Sequence, residues 1–288
     1  MQTHSVTITL VHILSNVTLD NRIATMLSSR DSLIQDIMEE QYWDGVASTY
    51  NDQIFDTLAN DRHRIISSFI ERIATRHKSV ADFGCGVGKY LPLLSSKFKS
   101  VQAIDHSEKL LGIARRRTAS LSNITFVKAD LSDPRVALSP VDAAISINVL
   151  LSPDVDKRGL VLKAIHRSLA SGGNLVLVVP SLESSLYSIS MLAEWDRRSR
   201  IRHTGVSAEA VSKPRLLRKA IFDGVIHLED QQTKHFLREE LELLIKSSGL
   251  EIEQVDKVEY SWQYEFQRPP RWMQSPYPWD WIAACRKG

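Results

Sequence analysis

The sequence predicts an α/β fold built on a doubly wound parallel sheet, and two observations carry that expectation. Five short apolar runs alternate with helical or turn segments between residues 80 and 180, and parallel neighbours joined by crossovers are the economical way to bury such runs. The first run, Val80-Ala81-Asp82-Phe83, passes directly into Gly84-Cys85-Gly86-Val87-Gly88, with a helix expected to begin near Lys89. Glycine lets a chain turn tightly and approach a ligand closely, and the free N–H groups of a following helix point at that ligand. A nucleotide-like cofactor is the expected occupant.

The elements follow in order. Residues 1–31 are expected to be loosely ordered, and 32–288 to form one domain. Residues 32–58 read as a helical lead-in containing Tyr42, Trp43 and Tyr50. Residues 61–77 place Ile65, Ile66, Phe69, Ile70 and Ile73 on one helical face, with Asn60 or Asp61 available as a cap. After the glycine loop, Leu91, Leu93 and Leu94 open a helix that tolerates Pro92 in its first turn. Strand two, Val101–Ile104, ends at Asp105, and Ser107 caps a helix through Arg117. Strand three, Ile124–Lys128, leads to Asp130 and Leu131. Strand four, Val141–Ile147, ends at Asn148, and its uniform apolarity predicts a central position. A helix over 155–170 stops at Ser171-Gly172-Gly173, and strand five spans Asn174–Val179.

The alternation then breaks. Residues 181–232 read as a helical cap inserted after strand five, above the carboxyl ends of the strands. Arg197, Arg198, Arg200, Arg202, Lys213, Arg215, Arg218 and Lys219 form a basic run there, with Glu209 alone opposing it. Such a run suits either a solvated face or an anionic partner. A helix over 236–246, a sixth strand over 251–262 and a last strand, Trp279–Cys285, complete the chain. A loop rich in proline and aromatic residues joins the last two strands. It suits a wall for a ligand or a cover for the sheet edge.

The glycines decide between cofactors. A dinucleotide loop has the pattern G-x-G-x-x-G, and neither register fits, because the third position would be Lys89 or Leu91. The sequence instead reads Asp82-x-Gly84-x-Gly86-x-Gly88. It resembles motif I of the class I S-adenosylmethionine-dependent methyltransferases. The resemblance covers about residues 40–180 and 236–288. It implies a Rossmann-like sheet of seven strands whose last strand runs antiparallel beside the fifth, with S-adenosylmethionine as cofactor. The cofactor site implied is Asp82, Gly84, Cys85, Gly86 and Gly88 under the amino-acid end, Asp105 on the ribose hydroxyls with His106 at the lip, and Asp130 and Leu131 at the adenine. Asn148 would line the methyl-transfer centre, and Tyr50 would approach the sulfonium. An acid past the second strand is also what ribose recognition requires physically.

Methyl transfer from a sulfonium is an in-line displacement with a neutral leaving group, so orientation can supply much of the rate. The sequence names no firm catalytic base, and His106 is the weak candidate by position. No Asn/Asp-Pro-Pro-aromatic tetrapeptide stands at the fourth strand end, and no Pro-Cys pair occurs for cytosine chemistry. The favoured acceptor is therefore a small or lipid-like molecule, acidic or aromatic. A nucleic-acid or protein methyltransferase docking through the basic cap stays open, as does a non-catalytic binding module, with an aminopropyltransferase more distant. Net charge is +2, which gives no argument for nucleic acid, and the two cysteines, Cys85 and Cys285, have no metal-ligand spacing. Two distant cysteines, no span-length apolar run and no leader-like start suggest a reducing, cytoplasmic setting.

Overall fold

The computed structural model describes residues 43–45, 56–200, 222–228 and 231–288. The expectations for residues 1–31, for Tyr50 and for the basic run from Arg202 to Lys219 lie outside the described residues. The chain divides into two compact units, Met1–Ser48 and Thr49–Gly288, and every strand and helix named below belongs to the second.

Five parallel strands form the centre: β1 (Ser79–Phe83), β2 (Ser100–Asp105), β3 (Ile124–Lys128), β4 (Val141–Ile147) and β5 (Leu169–Pro180). A hairpin, β6 (Val225–Leu228) and β7 (Gln231–Lys234), stands apart from them. The last two strands, β8 (Leu250–Glu259) and β9 (Trp279–Lys287), complete a seven-stranded sheet of order β3-β2-β1-β4-β5-β9-β8. Strand β9 runs antiparallel to both β5 and β8. It therefore occupies the place that the resemblance implied.

Both sheet faces are covered. A single helical turn, α1 (Thr57–Asn60), leads in. On one face, Ile66, Phe69 and Ile70 of α2 (Ile65–Ile73) and Leu91 and Leu94 of α3 (Leu91–Lys97) pack on Val80, Ala143, Ile145 and Ile282. The helix α4 (Glu108–Arg117) adds Leu111 and Ala114 to that face. On the other, Leu162 and Ile165 of α5 (Val155–Ser168) and Leu241 and Ile245 of the last helix, Arg238–Ser247, pack on Ala81, Phe83, Ala144 and Leu177. Val80, Ala143, Ala144 and Leu177 are almost wholly buried, as the near-continuous apolar character of central parallel strands requires.

The structure departs from sequence expectation in several elements. Helix α2 begins at Ile65, after a turn in which Arg64 takes a left-handed φ of 55°. Asp61 still serves its start from a distance: its carboxylate accepts the Ile66 N–H at 2.7 Å and the His63 N–H at 3.2 Å. Helix α5 ends at Ser168, earlier than Ser171, because β5 already pairs there. Pairing with β4 jumps from Val141↔Leu169 to Ala143↔Asn174, so Gly172 and Gly173 lie in a bulged strand start and do not stop the helix. A side chain at Gly173 would meet the Ala170 carbonyl oxygen at 2.8 Å.

The inserted segment is not helical throughout. Helix α6 (Leu182–Ser199) matches the expectation, but Val225–Leu228 and Gln231–Lys234 pair as the β6–β7 hairpin. Val225 and Ile226 favour strand geometry through their β-branched side chains. The returning chain is tied to the core: the Lys234 N–H donates to the Leu151 carbonyl and the Phe236 N–H to the Pro180 carbonyl, each at 2.8 Å. The segment thus begins and ends at the carboxyl edge of the sheet. Strand β8 stops at Glu259, short of Trp262, which opens a short 3-10 turn and donates its indole N–H to the Gln274 carbonyl.

Because two backbone donors depend on the buried Asp61 carboxylate, Asp61→Ala should lower stability by about 1–2 kcal/mol. Urea unfolding should show a lower midpoint with unchanged slope; an unchanged midpoint would remove Asp61 from the account of α2.

Candidate functional site

The register brings Phe83 of β1 level with Ile104 of β2 and Ser146 of β4, so the glycine loop, Asp105 and Asn148 emerge at one edge. Carboxyl ends of parallel strands are where open α/β sheets bind ligands. Gly84 has a φ of +68°, and a β-carbon there would stand 2.5 Å from a Val149 methyl. Gly88 has a φ of +79°, and a β-carbon would stand 2.8 Å from Leu91 Cδ1 and 3.1 Å from Ala114 Cβ. Close packing with α3 and α4 thus excludes a side chain at Gly88.

Asp105 holds this loop in shape. Its Oδ2 accepts the Gly86 N–H at 2.8 Å and its Oδ1 accepts the Ser107 N–H at 2.9 Å. The Cys85 N–H donates to the Ile104 carbonyl at 2.9 Å. Ser107 then caps α4 by accepting the Leu110 N–H. Asp105 is buried, and burial raises its pKa, opposed by the nearby His106 ring and by backbone N–H donors. An ionised carboxylate has about four acceptor positions. The Gly86 and Ser107 N–H groups occupy two of them and the His106 N–H also acts on the carboxylate, which leaves acceptor capacity for a ribose hydroxyl.

Asp82 lies on the adjacent strand, 2% exposed, and its Oδ2 has no hydrogen-bond partner among the described residues. Burial, and then the charge of Asp105, push its carboxyl well above the usual range. A buried carboxyl with one unpartnered oxygen beside a glycine cradle fits a ligand that brings a donor-rich cationic group, because such a group relieves both desolvation and repulsion. These two features fit the amino-acid end and the ribose of S-adenosylmethionine.

The other expected residues are distributed unevenly. Cys85 is buried with its thiol pushed up by burial and by Asp82, so it is an uncharged filler of the loop. Leu131 is buried in the core, whereas Asp130 is exposed and turns one oxygen onto the Ser132 N–H and hydroxyl. The structure thus puts Asp130 in an open turn. His106 stands beside Asp105, its Nδ1 3.7 Å from Oδ1. Strand β1 separates it from β4, so His106 belongs to the ribose end and stands away from Asn148. Among the described residues no group of His, Cys, Asp and Glu could hold a metal ion.

A second polar cluster lies at the other side of Asn148. Asn148 has a φ of 54°, and its N–H donates to the Val178 carbonyl at 2.9 Å. Its side chain and the Tyr260 hydroxyl, at 2.8 Å, both hydrogen-bond to the Asp280 carboxylate. Asp280 pairs with Pro180 across β5 and β9, at the same edge of the sheet. Burial, with a contribution from Glu265, pushes the Asp280 carboxyl up to about 7 against the pull of those two hydrogen bonds. Burial also raises Glu265, which Ser188 of α6 partly offsets. Sequence reasoning missed Asp280, Tyr260, Glu265 and Ser188. The one available signal was an acid between two tryptophans, Trp279-Asp280-Trp281, in an otherwise apolar strand.

Comparison with known proteins agrees with this geometry. Residues 80–173 match the family model described as a methyltransferase domain. The chain is 32% identical over 111 residues to a ribosomal protein L11 methyltransferase of Legionella pneumophila, a match covering 38% of this chain and 36% of that protein. The chain thus spans about a third of the length of the curated relatives it matches. Its fold is similar to that of a 1,6-didemethyltoxoflavin-N1-methyltransferase of Burkholderia thailandensis solved with its substrate and S-adenosylhomocysteine (TM-score 0.57, 16% identity, 88% of this chain and 89% of that one). It is also similar to a SAM-dependent methyltransferase of Methanosarcina mazei (TM-score 0.56, 19% identity, 76% and 96%). The fold is that of the class I methyltransferases.

The raised Asp280 carboxyl has a consequence for stability. An unfolded aspartate titrates near ~3.9, so a folded value of about 7 gives stability that is full below the unfolded value and is lost as pH rises through 7. Asp280→Asn should flatten the decline in unfolding free energy between about pH 4 and 7. A decline of the same size in the variant would assign it to other groups.

Proposed function

We propose that this chain, whose residues 80–173 carry a methyltransferase domain, transfers a methyl group from S-adenosylmethionine to a small-molecule acceptor. The observation that carries the reading is the glycine loop pinned by Asp105 beside the unpartnered Oδ2 of Asp82. S-adenosylmethionine, when bound, supplies a methyl on a positively charged sulfur that leaves as a neutral thioether. The chain's own residues bind and orient. Asp105 offers its remaining acceptor positions to the ribose hydroxyls. Asp82 faces the ammonium of the amino-acid end, and the backbone of Gly84 to Gly88 lies under that end. Asp130 and Leu131 border the adenine, and Asn148 borders the reacting methyl. Tyr50 keeps the role against the sulfonium that the resemblance gave it.

In this reading residues 32–288 act as one domain, with 181–232 roofing the acceptor entrance. Helix α6 supports that arrangement through Ser184, whose hydroxyl accepts the Trp279 N–H at 2.8 Å. Among the described residues no helix is long and apolar enough to cross a membrane; a cytoplasmic setting is part of the proposal. A second reading, a protein acceptor, draws on the L11 methyltransferase relative, whose match is confined to about a third of its length.

Calorimetric titration with S-adenosylmethionine should show one-to-one binding, and NAD should show none. Tight NAD binding, or no binding of either, would contradict the proposal. Asp105→Ala should weaken cofactor binding by about 1–3 kcal/mol through lost acceptor positions and a loosened loop. Unchanged affinity in a folded variant would refute the ribose assignment.

A further inference from the structure

The cluster around Asp280 has a composition that the cofactor does not use. Asp280 and Glu265 bring two carboxyls, and Asp280 already accepts from Tyr260 and Asn148. The Asn148 Oδ1 is buried without a hydrogen-bond partner among the described residues. Ser188 is 1% exposed and lies close enough to Glu265 to favour its ionised form. Among the described residues no Lys, Arg or His acts on Asp280; the titratable groups that face it are Tyr260 and Glu265. Acceptor atoms therefore outnumber donors, and they converge at the end of β4. Trp262, Tyr187 and Trp279 form an aromatic row with ring centroids 5.5 Å and 6.2 Å apart, Trp262 preceding Glu265 by three residues and Trp279 standing directly before Asp280. A ligand completing such a site must bring hydrogen-bond donors and positive charge. An ammonium brings three donors and no acceptor, and a carboxylate would add a third acidic group to a partly buried pair.

We infer that the acceptor is an amine, and that Asp280, positioned by Tyr260 and Asn148, binds its ammonium and takes up its proton. The inference rests on the methyltransferase reading and narrows it, because it retains amines and discards the acidic metabolites expected from sequence. The step balances. The R–NH3⁺ group gives one proton to the Asp280 carboxylate and becomes R–NH2. Its nitrogen lone pair then forms the N–C bond as the C–S bond of S-adenosylmethionine breaks, giving R–NH2⁺–CH3 and the neutral thioether S-adenosylhomocysteine. Glu265, nearer to α6, holds the charge of the bound ammonium.

The test uses the full chain saturated with S-adenosylhomocysteine, with benzylamine as cationic probe and benzoate as anionic probe, each titrated by calorimetry. Benzylamine should bind and benzoate should not. Asp280→Asn should weaken benzylamine at least tenfold while S-adenosylhomocysteine affinity stays within twofold, and Glu265→Gln should weaken it less. Benzylamine affinity should rise as pH increases through 7 as Asp280 ionises, and that rise should vanish in Asp280→Asn. Benzoate binding as well as benzylamine, no benzylamine binding at all, or an Asp280→Asn variant that binds benzylamine as the parent does would each overturn the inference. Failure of S-adenosylhomocysteine to bind would fall on the methyltransferase reading.

Discussion

The glycine-loop end of this molecule depends on one carboxylate. Asp105 stands at the end of β2 and accepts two backbone N–H groups, one from the glycine loop of β1 and one from the start of α4. A loop with left-handed backbone at Gly84, Gly86 and Gly88 leaves amides that cannot pair within a strand or a helix. Buried amides need partners, and Asp105 supplies one at the turn where the ligand must lie. The same charge helps keep Asp82 out of its ordinary titration range. The loop is thus held open and the site is left short of positive charge, a deficit that a cationic ligand offsets.

That electrostatic deficit extends along one sheet edge. Asp82, Tyr90 and Tyr260 are buried and Asp280 is partly buried, and desolvation is the chief cause favouring the protonated form of each. Tyr90 is tied to α1 by its hydrogen bond with Thr57 at 2.7 Å. Tyr260 ties the end of β8 to the start of β9 through Asp280. The row runs from the glycine cradle past Asn148 to the antiparallel strand. One half fits the sulfonium amino acid proposed as cofactor, and the other is the half proposed to face the acceptor. Insertion of β9 between β5 and β8 gives the second half its place, because it brings a strand start, and so Asp280, to the edge where the parallel strands end.

Much of the fold was legible in sequence because its signals are local. Alternation of apolar runs with helical segments predicted the five parallel strands and both covered faces, and the glycine spacing with Asp105 pointed to the strand end where the loop and that carboxylate meet. Boundaries were less legible where pairing overrides local signals. Gly172 and Gly173 read as a helix stop, yet the register of β5 against β4 recruits them into a bulge. Residues up to 232 read with their helical surroundings, yet Val225–Leu228 pairs with Gln231–Lys234 as a hairpin. The Asp280 cluster was the hardest to see. Its members come from the end of β4, from α6, from β9 and from the loop between the last two strands, and they meet only through the antiparallel register of β9. No spacing in the chain marks that meeting.

The central claim is that Asp105 shapes the glycine loop into the cofactor floor. The most direct measurement is an amide NMR titration of the full chain with S-adenosylhomocysteine. The largest shifts should fall on Gly84, Gly86, Gly88, Asp105 and Leu131, with smaller shifts along β8. Saturable binding that leaves the glycine-loop amides unmoved would contradict the claim and place the cofactor elsewhere on the sheet.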